Sequence, residues 1–167
     1  MEQLSLIKSL ISKEKYREAG LELDKLLSKE KNDDELWYLR AVICLKNKAY
    51  ESALEYLERA LRIREVPKYH GMRGMVYFEL LDFEHAIECF KHALKLDHKD
   101  LDSAFLIAIS YMMLDRPESS TYLKMAMMIN PKKAKSMLMN SYSLLIKNDQ
   151  KISDESKKKI EYEMSKF

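Results

Sequence analysis

The chain has 167 residues, 47% hydrophobic and 34% charged, with only three Gly and three Pro, which excludes an all-β fold built on turn residues every ~8–12 positions. Its 29 basic and 27 acidic residues leave a net charge of +2, a balance that offers no long-range field to nucleic acid or to an anionic membrane surface. Cys44 and Cys89 make no disulfide framework and point to a reducing cytoplasm. No apolar run reads as a signal peptide, and none approaches the ~20 residues that span a bilayer.

In chain order, Leu4, Ile7, Leu10 and Ile11 predict an amphipathic helix over residues 2–12. After a Lys-rich turn, Tyr16, Ala19, Leu23 and Leu26 predict a second helix. Asn32, Asp33 and Asp34 supply short acceptors that can cap the next helix, predicted over 34–47 and followed by a partner over 50–63. Pro67 opens a further pair, 67–81 and 83–96, at a position where its missing N–H costs nothing. A fourth pair follows, with Ala108 and Tyr111 on its first helix. Pro117 is predicted to open its second helix, which carries Leu123 and Ala126 to about Ile129. Beyond Pro131, Met137, Leu138, Tyr142 and Leu145 predict a helix over 132–147. Ser153, Asp154 and Glu155 predict the start of a last one over 154–166.

The pairs repeat one another. Ala41, Tyr50, Ala53, Leu57 and Ala60 recur as Gly74, Phe83, Ala86, Phe90 and Ala93, a period of about 33 residues. Trp37 opens the first of these copies, and Tyr77 lies within the second. The order is a large apolar residue, a small one a turn later, an aromatic after the bend, then small–large–small on the second helix. It resembles the tetratricopeptide repeat family. The resemblance implies an all-α array of helix–turn–helix units, a right-handed α-solenoid. About four repeats are expected in 1–131: a degenerate 1–33, then 34–66, 67–99 and 100–131. Residues 132–167 are then two C-terminal capping helices that shield the end of the stack.

The resemblance also implies that the first helix of each pair lines a groove. That assigns Tyr38, Leu39, Val42 and Leu45 to its wall, then Met72, Met75 and Phe78, then Phe105, Leu106, Ile109, Met112 and Met113. Such a wall is almost wholly apolar and rich in methionine, which adapts to several partner shapes. The expected partner is another protein that docks an apolar peptide or an amphipathic helix there. The alternative is a self-associating structural module whose groove is filled by its own C-terminal helix or by a neighbouring copy. A lysine-and-asparagine carboxylate clamp, as in the chaperone-binding members of the family, is disfavoured. The matching places hold Ser5, Ser9, Leu39, Lys68 and Met72, and of these only Lys68 is of the right type.

Other chemistry finds little support. His85, Cys89 and His92 share one helix face, but no fourth ligand spacing accompanies them, and no cofactor is expected. Arg40 and Arg73 repeat at equivalent places, where each stem can pack while its head meets a carboxylate such as Glu55 or Glu88. No glycine-rich phosphate loop or nucleophile elbow is present, so no enzymatic activity is expected.

Overall fold

The computed structural model describes residues 2–145 and Lys158. Among the described residues there are nine helices and no strand: α1 (Glu2–Ser12), α2 (Tyr16–Leu27), α3 (Asp34–Lys46), α4 (Tyr50–Ile63), α5 (Pro67–Glu79), α6 (Phe83–Leu96), α7 (Leu101–Met113), α8 (Ser119–Ile129) and α9 (Pro131–Leu145). The chain divides into two compact units, Met1–His98 and Lys99–Phe167. The helix expected over 154–166 lies outside the described residues.

The first unit is three helix pairs, each packed on the next through α2 against α3 and α4 against α5. Ile7, Ala19, Leu23, Leu27, Leu36, Leu39 and Ile43 form one buried cluster, so the degenerate opening pair is a full member of the stack. A second cluster joins Ala41, Ala53, Leu57, Ala60, Tyr69 and Val76. The repeated alanines at 53, 60, 86 and 93 are all fully buried. At Gly74 the reason for a small residue is explicit: an added Cβ would lie 2.6–2.9 Å from three ring atoms of Phe90.

Each predicted turn inside a pair closes the same way. Glu14, Lys48, Leu81 and Asp115 take left-handed backbone, with φ of 58°, 58°, 60° and 53°. In each turn two backbone N–H groups reach back to the preceding helix, as Leu81 N to Phe78 O at 3.0 Å and Asp82 N to Tyr77 O at 2.9 Å. This pairing satisfies carbonyls that a helix end would otherwise leave open. Helix starts are capped by Asp33, whose carboxylate accepts from Glu35 N and Leu36 N, and by Asp82 and Asp100.

In the second unit α7 packs on α8 and α8 on α9. Leu123, Ala126, Ala134, Leu138 and Tyr142 are buried. Several expected boundaries move by one or two residues, as α5 ends at Glu79 and α9 begins at Pro131, and α8 begins at Ser119, not at Pro117. Ser119 N and Ser120 N bond back only three residues, to Arg116 O and Pro117 O. Pro117 thus belongs to a tight turn that leads into the helix.

Candidate functional site: the strip shared by the first helices of the N-terminal unit

Side chains from the first helices of the three pairs converge on one carboxylate. Lys8 of α1 sits 2.8 Å from Glu35 Oε1 of α3, and Lys68 of α5 reaches the same oxygen at 4.0 Å. Lys68 Nζ also lies 4.0 Å above the Tyr38 ring, and Tyr38 stacks on Tyr69 with centroids 5.1 Å apart. These contacts set the row Glu35, Tyr38, Val42, Leu45 of α3 beside the row Lys68, Met72, Met75 of α5. Both rows follow the i, i+3/i+4, i+7 spacing of a single helix face. Tyr38, Val42, Leu45, Met72, Met75 and Phe78 are all half-buried, and Tyr38, Leu45 and Met72 pack against the second buried cluster. Phe78 closes the row at the turn, edge-on to Phe83 at 5.4 Å.

The polar end of the strip is tightly wired. The buried Tyr69 hydroxyl donates to Asp34 Oδ2, and Arg64 pairs with the same oxygen at 2.7 Å. Burial works to raise the Asp34 carboxyl, but the hydrogen bonds from Tyr69 and Arg64 outweigh it and hold the group below the ordinary carboxylate range. The Tyr69 phenol is pushed up to about 12 by burial and by that same hydrogen bond. Burial, with Glu35 added, raises the Tyr38 phenol. Lys68 is lowered chiefly by burial, against the pull of Glu35. Two lysines therefore do converge here, and sequence reasoning missed Lys8. They converge on Glu35, a carboxylate of the chain itself, which pairs with Lys8 at 2.8 Å and offsets part of the positive charge that a clamp would offer a ligand. The signal was Glu35 itself, one helical turn ahead of Tyr38 on the same face.

Three of the twelve expected wall residues are not surface. Leu39 is 6% exposed, Phe105 3% and Ile109 5%. Leu39 belongs to the cluster that holds Ile7 and Leu36. It points into the joint between pairs because α3 is apolar around most of its circumference and packs on both sides. In the second unit α7 is buried along nearly its whole length, Leu101 to Tyr111. Leu106 is half-buried there, and Met112 and Met113 are exposed at its end. The remaining first-unit residues, Tyr38, Val42 and Leu45 of α3 and Met72, Met75 and Phe78 of α5, are partly buried.

The other groups of interest take separate partners. Arg40 meets Asp24 of the preceding pair at 3.3 Å and Arg73 meets Cys89 Sγ at 3.2 Å, where Glu55 or Glu88 was the expected kind of partner. Glu55 pairs with Arg59, whose guanidinium lies 4.8 Å above Trp37. Trp37 stacks on Tyr56 beside a cavity of about 290 Å³ on α2, α3 and α4. His85 is engaged with Asp82 and Tyr77, Cys89 with Arg73, and His92 with His70. Among the described residues no three His, Cys, Asp or Glu side chains are grouped as metal ligands.

Comparison with known proteins agrees with this architecture. Two sequence profiles, both described as Tetratricopeptide repeat, match residues 4–69 and 67–100. The TPR repeat-containing protein MJ1428 of Methanocaldococcus jannaschii is 29% identical over 113 residues, which is 68% of this chain and 20% of that protein. The chain thus spans about a fifth of that relative's length. Among solved structures, MamA 41-end from Desulfovibrio magneticus RS-1 superposes with a TM-score of 0.75 at 15% identity, covering 98% of this chain and 90% of that one. YrrB, described as a TPR protein with an unusual peptide-binding site, gives 0.67 at 19% identity, covering 98% and 81%. These likenesses are of fold.

Proposed function

The chain belongs to the tetratricopeptide repeat family, and on that premise we propose that it is a protein-interaction scaffold whose α3–α5 strip receives an amphipathic helix of another protein. What supports this reading is the partial burial of Tyr38, Val42 and Leu45 on α3 and of Met72, Met75 and Phe78 on α5, two helices that meet through the Lys68–Tyr38 and Tyr38–Tyr69 contacts. A third helix laid between α3 and α5 would meet apolar side chains on both flanks at helical spacing, with its polar face left in water. Methionines at 72 and 75 let the seat adapt to the incoming side chains. The role is one of binding, with no catalytic step. A reducing cytoplasmic setting fits the two free thiols, Cys44 and Cys89. No described helix is long and apolar enough to cross a membrane.

The test is peptide selection. Helical peptides enriched from a random displayed library on the full chain should bind the wild type and fail on Met75→Asp, while circular dichroism of that variant stays unchanged. Enriched peptides that bind Met75→Asp as well as wild type would overturn the reading. Light scattering on the same sample separates the self-association alternative, in which a concentration-dependent dimer loses its apolar contact in Met75→Asp.

A further inference from the structure

The α5–α6 pair contains a buried side chain whose hydrogen bonding is incomplete. His70 is 6% exposed, its Nε2 lies 3.2 Å from Glu65 Oε1, and its Nδ1 is buried with no hydrogen-bond partner. Its ring stacks on His92 of α6, with centroids 5.3 Å apart and planes within 19°. The charged groups acting on the ring are Glu65 from the α4–α5 connection, Arg73 from α5 itself and His92 from α6.

The arrangement suits one protonation state. In the neutral ring, Nε2–H donates to Glu65 and Nδ1 keeps a lone pair, the lesser of the two possible losses. A second proton must go to Nδ1, where a charged donor finds no acceptor, while Arg73 on the same helix repels the charge and the ring lies against a second imidazole. Among the described residues Glu65 offers the opposing attraction, and its side chain is largely in water, where ion pairs are screened.

We propose that His70 is an acid-sensitive latch between α5 and α6: neutral, it stacks on His92 and closes the pair; protonated, it drives the pair open. The latch is independent of what the α3–α5 strip binds. Burial first, then Arg73 and His92, depress the imidazole below its ordinary value against the Glu65 hydrogen bond. The unfolded or opened chain therefore takes up the proton first. Stability is full above the unfolded value of ~6.5 and declines as pH falls below it toward the lower folded value.

Urea midpoints of the full chain at about pH 7.5 and about pH 5.5 test this. The wild type should lose stability on acidification, His70→Phe should lose markedly less, and His98→Gln, altered at an exposed site, should lose as much as wild type. A His70→Phe loss parallel to wild type, or no wild-type loss, would overturn the latch. Should the Phe variant fail to fold, NMR of the wild-type ring decides. The His70 Cε1–H should titrate below free imidazole while α5 and α6 amides lose exchange protection, and titration at or above free imidazole rejects the proposal.

Discussion

Gly74 and Gly20 look alike in sequence, each a glycine inside a helix, yet the structure separates them. At Gly74 an added methyl would strike the ring of fully buried Phe90 at 2.6 Å. Overpacking of this kind costs about 1–3 kcal/mol, more than the ~1 kcal/mol that alanine gains over glycine in helix propensity. Gly74→Ala should therefore lower the denaturation midpoint. At Gly20 the nearest atom is Arg40 Nη1 at 2.7 Å, the far end of a flexible side chain. Gly20→Ala should be neutral or stabilising by up to ~1 kcal/mol, measured in the same urea titration. Ile109→Asp should unfold α7 and Met75→Asp should not, since only the first buries a charge. The small residues at 41, 74, 53, 60, 86 and 93 were readable because the period marks them. The burial of Leu39, Phe105 and Ile109 was not. Helices apolar around most of their circumference, such as LDSAFLIAISYMM, have no polar stripe to indicate which side faces water.

Among elements, the turns are the most uniform feature and the one least visible in sequence. Four left-handed residues close four pairs, and none is glycine. Hydrogen-bond geometry imposes the conformation where composition gives no hint, as at Leu81, which is 71% exposed with φ of 60°. Leu81→Gly should relieve strain and stabilise by up to ~1 kcal/mol, seen as a higher thermal midpoint. Asp115→Gly should gain less, because aspartate tolerates this backbone better. At the start of α7, Asp100 accepts from Ser103 N at 3.1 Å and from Ser103 Oγ at 2.6 Å. Asp100→Ala should cost about 0.5–2 kcal/mol in the same melt. Helix starts marked by Asp33 and Pro67 were legible, since each residue has one physical use there. Pro117 was misread as a first helical residue because the same ring also suits the tight turn before a helix.

For the whole molecule, composition and period were enough to place the chain among helical repeat proteins. The position of the strip depended on side-chain contacts that no periodicity encodes. Lys8, Glu35 and Lys68 come from three helices, and their convergence became evident only once α1, α3 and α5 lay side by side. Glu35 offsets only one of the two lysine charges, and both lysine side chains are about half exposed, where water and salt screen them; the net charge of the chain is +2. The partner helix should therefore bind with an affinity that changes little between about 0.05 M and about 0.5 M salt, as apolar contacts do and ion pairs do not. The most direct measurement uses the eleven methionines as reporters. Methyl-labelled full-length protein is titrated with a library-selected helical peptide and followed by NMR. Met72 and Met75 should shift and saturate together while Met128, exposed on α8, stays still. Saturating shifts at Met128 or Met139 with Met72 and Met75 unmoved would contradict binding at the α3–α5 strip.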